Sequence, residues 1–296
     1  MASLLDLGHL DILYYEQSKP YCIVRLPDRH AAKLLVQRSI LCQSIYELWG
    51  FGADYDTLRE DVKQRTAFLD IKRYRTCSFC FKFDSFQGKC SSERKREIVE
   101  SFNFLGFDGP IKMKDPELQV TVFEYFVLNA EAPSMLYLGK WIANSDRDAV
   151  LKFDLKKRRY IGLTSMDAEL SLVAANMTHA APGRIVFDPF VGTGSFSVAA
   201  AHFGAAVLGS DIDGRTIRGS PSCNHLSNYA QYNLLPNFFD NFIADLTHTP
   251  LRAGPWLNGI ICDPPYGVRE GPRVLGYREQ SKDTTPVRIG GVEAHM

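Results

Sequence analysis

At 296 residues, 45% of them apolar and 23% charged, the chain has enough apolar material for two cores and is neither disordered nor fibrous in composition. Its 34 Lys and Arg balance 34 Asp and Glu, so net charge gives no global pull toward a polyanion. No stretch reaches the roughly 18 apolar residues of a membrane span, and the first residues show no basic leader before an apolar run; a cytoplasmic protein without a membrane partner is the expectation.

The front of the chain, residues 1–144, reads as an α+β mixture. Residues 21–26 are a strand and 28–38 a helix capped by Asp28. A short apolar segment at 44–49 and a helix at 55–64 follow. Next come a strand at 77–83 and a helix at 91–102 that opens on a serine pair with Glu93 close behind. Two long strands, 120–126 and 135–143, are joined by a polar loop containing Pro133. Seven cysteines, an odd number without a leader, read as reduced thiols. Cys77 and Cys80 have zinc-ligand spacing, but strand alternation points their thiols apart, so no metal site is expected. Residues 1–159 hold 25 Lys and Arg against 22 Asp and Glu, and the remainder 9 against 12. The basic runs are Lys72, Arg73 and Arg75, then Arg94, Lys95 and Arg96, then Lys156 to Arg159. Each is a solvated face or a set of phosphate contacts.

Residues 145–163 are charged and without a strong period, which places the connection between domains there. From 164 to 296 the pattern becomes strand and helix in alternation. Helices are expected at 165–177, 195–202 and 224–234, and strands at 184–188, 205–209, 242–244 and 259–262. Elements of this length in this order build a parallel α/β sheet.

Four segments of this half carry chemistry. The first, VFDPFVGTGS at 186–195, ends a strand on Asp188 and turns through Gly192 and Gly194 into a helix, letting backbone approach a ligand. It is not a dinucleotide fingerprint: the third glycine is Ser197, and an acidic residue four positions before the first glycine repels a pyrophosphate while attracting a cationic ligand. In the second, Asp211 ends the next strand about 20 residues after the glycines, placed for the two hydroxyls of a ribose, whereas Asp213 suits a helix cap. The third is Asp245, after a further strand, able to accept from an adenine amine or to be a plain loop residue. The fourth is Asp263-Pro264-Pro265-Tyr266 after an apolar strand. An exocyclic amine on a base is a poor nucleophile, its lone pair being delocalised into the ring. Asp263 and the Pro264 carbonyl can accept from that amine and orient it, and Tyr266 can stack on the base.

VFDPFVGTGSF (186–196), GSDID (209–213) and CDPPYGVRE (262–270) resemble class I methyltransferases that modify exocyclic amines. With LCQSIYELWG (41–50), LGKWIA (138–143) and KKRRYIGLTSMDAELSLVAANM (156–177), they resemble more closely the catalytic subunit of the tRNA guanosine N2-methyltransferases acting at position ten. The resemblance covers roughly residues 20–275. It implies a ferredoxin-like region and a tRNA-gripping THUMP domain ahead of a Rossmann-like class I methyltransferase domain that uses S-adenosylmethionine. It further implies that the start of the helix at Thr164, Ser165 and Met166 packs over the methionine end of the cofactor. Asp188, Phe190, Gly192, Gly194, Asp211 and Asp245 would line the cofactor, and Asp263, Pro264 and Tyr266 would hold the guanine amine. The implied partners are tRNA and a small zinc-binding activator subunit.

The chain departs from the family near its end. Only 29 residues follow Gly267, without a strand or helix pattern. The family's sheet has seven strands in the order 3-2-1-4-5-7-6, of which the first four are placed here. The expectation is an incomplete domain with its fourth strand at an edge. Two other readings stay open: a truncated form that binds tRNA or the activator without turnover, and an amino-methyltransferase of another nucleic acid or of protein glutamine. An RNA-gripping front domain argues against the latter.

Overall fold

The computed structural model describes residues 10–265, and the chain divides between Asp146 and Arg147 into two compact units. In the front unit, β1 (Asp11–Tyr15) and β2 (Cys22–Arg25) form an antiparallel pair. α1 (Arg29–Gln37) starts where Asp28, in extended conformation, accepts from the Ala31 amide at 2.8 Å. Four strands make the main sheet: β3 (Ser44–Gly52), β4 (Phe79–Phe86), β5 (Leu118–Tyr125) and β6 (Met135–Asn144), in the order β3-β6-β5-β4. β4 and β5 run parallel, and the other pairs are antiparallel.

The alternation of these strands decides the core. Leu118, Val120 and Val122 on β5 and Leu136 and Leu138 on β6 point to one face. They pack there with Trp49 and with Leu58, Val62 and Ile98 from α2 (Tyr55–Thr66) and α3 (Ser92–Ser101). α1 buries Ala32 and Val36 in a smaller cluster with Ile142 and Ala143. Lys140 continues the inward register of β6 and is 2% exposed. It is paired to Glu47 at 2.5 Å and donates to the Tyr74 hydroxyl at 2.8 Å, with the rings of Trp49 and Tyr74 beside the ammonium. A buried cation is tolerated only with such partners. The pair keeps Glu47 ionised: burial pushes its carboxyl up, but Lys140 more than reverses this. Cys80 is buried inside β4, and Cys77 lies before that strand begins.

The rear unit holds α4 (Asp148–Lys152), α5 (Ala168–Met177), β7 (Ile185–Asp188), α6 (Ser195–His202), β8 (Ala206–Asp211), α7 (Gly214–Arg218), α8 (His225–Gln231), β9 (Phe238–Ile243) and β10 (Gly259–Ile260). All four strands pair in parallel in the order β10-β7-β8-β9. The chain steps outward from β7 to β9 and then crosses back to place β10 on the other side of β7. The strand order therefore reverses at β7, and the carboxyl ends there open a crevice. Among the described residues no helix is long and apolar enough to cross a membrane.

Three local differences from the sequence expectations bear on the site. The helix expected from 165 starts at Ala168, because Asp167 takes the cap and accepts from the amides of Glu169 and Leu170 at 2.9 and 3.2 Å; Thr164, Ser165 and Met166 remain in a loop. The stretch 147–163 folds with the rear unit: Arg147 pairs with Glu169, Ala149 is buried, and Phe153 packs edge-on against Tyr232 and His202. Asp213, which suits a helix cap in the sequence, caps α7, a five-residue helix absent from the expected elements. The residues after Gly267, in which no strand or helix is expected, lie outside the described residues.

In the front unit β3 and α2 pack closely at Gly52. A Cβ added at Gly52 would stand 2.5 Å from the Leu58 backbone nitrogen, which no side-chain rotation relieves. Gly52→Ala is expected to destabilise that unit by about 1–3 kcal/mol through overpacking, read as a lowered urea midpoint. An unchanged midpoint would mean that α2 is free to shift off the strand.

Candidate functional site

The turn after β7 is built by backbone geometry. Gly192 and Gly194 have φ of +49° and +85°, values that side-chain-bearing residues seldom adopt. The Val191 amide donates to the Ser210 carbonyl at 2.9 Å, pinning the turn to β8. The Gly192 amide donates to Asp211 Oδ2 at 2.9 Å, and Asp211 Oδ1 accepts from the Asp213 amide at 2.8 Å. Each carboxylate oxygen has a second lone-pair direction, so Asp211 can still accept from a ligand.

This turn forms one wall of a cleft of about 920 Å³. Of the residues singled out in the sequence, Thr164, Ser165, Asp188, Phe190, Gly192, Asp211, Asp245, Asp263 and Pro264 all line it. Gly194 does not: it is turned away, and a Cβ there would meet His225 Nδ1 at 2.9 Å. Tyr266 lies outside the described residues. Met166, expected beside Thr164 and Ser165 over the cofactor, lines it too, and the lining also includes Thr193, Ser195, Asp213, Arg215, Thr216 and Thr247, none of which stands out as a ligand contact in the sequence.

The electrostatics of the cleft are lopsided. Five aspartates line it, while among the described lining residues the one cation is Arg215, held by Asp213 at 2.7 Å. Asp188 is 1% exposed. Burial pushes its carboxyl from 3.8 to about 7; the Phe190 amide, donating at 3.0 Å, pulls it down, and the charges of Asp211 and Asp263 add to the rise. Asp245 caps the turn after β9, accepting from the Thr247 amide at 2.9 Å and hydroxyl at 2.7 Å. Carboxylates set among Phe190, Phe196, Ile212 and Leu246 suit a ligand with a cationic end, hydroxyls and a flat ring. The donor set fits S-adenosylmethionine.

A strap, residues 157–166, closes over the turn. Ser165 and Thr193 hydroxyls share a hydrogen bond at 2.8 Å, and Ser195 Oγ accepts from the Met166 amide and from Arg158, each at 3.1 Å. Arg158, which the sequence grouped with surface cations, is 5% exposed, and burial lowers its pKa. Behind the turn stands α8. His225 Nε2 lies 3.1 Å from the Gly192 carbonyl, and Asn228 donates to the carbonyls of Tyr160 at 2.8 Å and Thr193 at 3.4 Å. The one signal of these contacts in the sequence is the i, i+3 spacing of polar residues on a short helix.

The family model described as the Tmrp11 THUMP N-terminal domain matches residues 1–147, and that of the RMKL-like methyltransferase domain matches residues 156–274. The fold is a THUMP domain followed by a class I methyltransferase domain. The chain is 41% identical over 309 residues to the tRNA (guanine(10)-N(2))-methyltransferase of Saccharomyces cerevisiae, covering 100% of this chain and 71% of that protein. It is 42% identical over 262 residues to the Schizosaccharomyces pombe enzyme of the same name, covering 88% and 55%. The human protein of that name is 34% identical over 282 residues, covering 88% and 60%. The chain thus spans between 55% and 71% of the length of these relatives. On these likenesses, with the acidic cleft at the head of the parallel sheet, the chain belongs to the tRNA (guanine(10)-N(2))-methyltransferase family.

Proposed function

We propose that this chain binds S-adenosylmethionine in the cleft and methylates the exocyclic N2 amine of guanosine 10 in tRNA. The observation that carries the reading is the convergence of Asp188, Asp211, Asp245 and Asp263 on one crevice at the carboxyl ends of β7 to β10. Asp211 accepts from the ribose hydroxyls, and Asp245 from the adenine amine. Asp188, which lines the cleft with Thr164 and Ser165, faces the cationic methionine end, while Phe190 and the Gly192 turn form the wall. Asp263 and the Pro264 carbonyl accept from the guanine N2 amine and turn its lone pair toward the methyl carbon, and Tyr266 stacks on the base. When bound, the cofactor supplies an electrophilic methyl on sulfonium. Transfer of that methyl to N2 would release a proton from the amine, which Asp263 or water would accept. Orientation carries such a displacement further than a strong base does.

The front unit, with its THUMP match, is the reader of tRNA. The family resemblance extends the proposal to a small zinc-binding activator subunit as partner and to the cytoplasm as location. The test is methylation of defined tRNA transcripts by the chain, alone and with the activator, with guanosine 10 intact or replaced. Transfer to the intact transcript alone is the expected result, and transfer that ignores the replacement would overturn the assignment.

Two further outcomes follow from the site. Asp263→Ala should lower turnover about 100-fold or more while S-adenosylhomocysteine affinity stays within about threefold. Asp211→Ala should instead weaken that affinity about 10- to 100-fold, the cost of losing hydrogen bonds to a charged acceptor. Normal turnover in the first variant would remove Asp263 from the mechanism.

The buried Asp188 also sets a pH dependence. The unfolded chain releases this proton near 3.8 and the folded chain only near 7, so the empty protein loses stability as pH rises between those values. A cationic ligand favours the ionised form, so affinity for S-adenosylhomocysteine should rise with pH over the same window and level off above about 7. Calorimetric titrations across that range check it, and Asp188→Asn should flatten the slope.

A further inference from the structure

The residues that touch the cleft do not hold their own shape. Gly192 is gripped on both sides: its amide donates to Asp211, and its carbonyl faces His225 Nε2 at 3.1 Å. A carbonyl oxygen only accepts, so Nε2 carries the ring proton. His225 is 3% exposed, and burial lowers its pKa to about 4, with the Gly192 carbonyl pulling the other way, so the ring is neutral across the physiological range. The Tyr160 ring packs edge-on against the imidazole at 5.6 Å, and the bare α-carbon of Gly194 leaves room for it. The ring is thus confined between Tyr160, Gly194 and the Gly192 carbonyl.

The same face of α8 continues the grip. Three residues on, Asn228 is fully buried, accepts from the Tyr160 amide at 2.8 Å and donates to the Thr193 carbonyl at 3.4 Å. Neither side chain lines the cleft. Their contacts are with the backbone of the turn and of the strap, both of which do.

We propose that His225 is a positioning residue for the cofactor: its Nε2–H fixes the Gly192 carbonyl, so that the Gly192 amide stays on Asp211 and the carboxylate presents its remaining lone pairs to the ribose. The inference rests on the reading of the cleft as the S-adenosylmethionine site. It assigns the histidine no contact with cofactor or substrate. Without the donor, the Gly192 carbonyl is left unsatisfied and the turn holds its amide less firmly on Asp211.

Two polar variants separate a hydrogen bond from mere packing. The amide nitrogen of Gln superposes on Nε2 of His, whereas that of Asn ends near Nδ1 and does not reach the Gly192 carbonyl. Hydrogen–deuterium exchange of residues 190–195 and calorimetric binding of S-adenosylhomocysteine are measured on the chain and on both variants. His225→Asn should exchange faster across the turn and bind about tenfold more weakly, the consequence of a buried carbonyl left without its donor. His225→Gln should match the native exchange and bind within about threefold of it. Native exchange in His225→Asn, or equal loss in both variants, overturns the positioning role. Native protein that binds no S-adenosylhomocysteine overturns the cofactor reading and with it the effect on affinity, while the exchange pair still decides whether the hydrogen bond holds the turn.

Discussion

The hydrogen bond from the Gly192 amide to Asp211 ties the ends of two neighbouring parallel strands into one ligand-facing edge. A β7 strand that ended in a conventional loop would leave Asp211 oriented by the Asp213 amide alone. Because Gly192 has positive φ, its amide turns toward β8 and the carboxylate is oriented before any ligand arrives. The bond has charged-acceptor strength, and its donor needs no side chain, so the ligand can approach the turn closely. The arrangement explains why two glycines, a buried carboxylate at 188 and a second one at 211 belong to a single device.

That device carries an energetic tension. Asp188 loses its water on folding and gains a single backbone donor from Phe190, while Asp211 and Asp263 add like charge. The empty cleft is therefore less stable ionised than it would be with a cation in place, which is a usual signature of a site shaped for its ligand rather than for the apo fold. Arg215 does not resolve the tension, because its guanidinium is committed to Asp213 at the start of α7. In the front unit the opposite solution appears: Lys140 is buried against Glu47, Tyr74 and Trp49. The front unit neutralises its buried charge internally, whereas among the described residues no cation offsets the charge of Asp188.

Legibility in the sequence followed the kind of signal each residue sends. Strand ends with carboxylates and a glycine turn are local patterns, and all four acidic segments come together in the cleft. The β5 and β6 strands were readable from alternation, since one face meets α2 and α3. The sequence marks β9 only over its last residues, because Asp240 and Asn241 interrupt its apolar run and Phe239 is exposed at the sheet edge. Thr164 and Ser165 were placed on a helix that a stronger cap at Asp167 begins later. His225 and Asn228 stayed hidden because their partners are backbone carbonyls and amides 33 to 68 residues away, which no local pattern encodes.

The run Lys156 to Arg159 shows how one segment serves two surfaces. Arg158 turns inward to Ser195, whereas Lys156, Lys157 and Arg159 remain exposed. What fixes that alternation is α8 again: Gln231 donates to the Lys157 carbonyl at 2.6 Å and accepts from the Arg159 amide at 3.0 Å. Backbone held on both sides of Arg158 keeps it turned inward, and its desolvated guanidinium, with no carboxylate partner among the described residues, is received by Ser195 and the surrounding tyrosines. The consequence is that three outward cations and the inward prop of the Met166 loop share one rigid register. A helix of seven residues thereby links the glycine turn, the strap over it and a basic stretch of surface, so a change that loosens α8 disturbs all three together rather than any one alone.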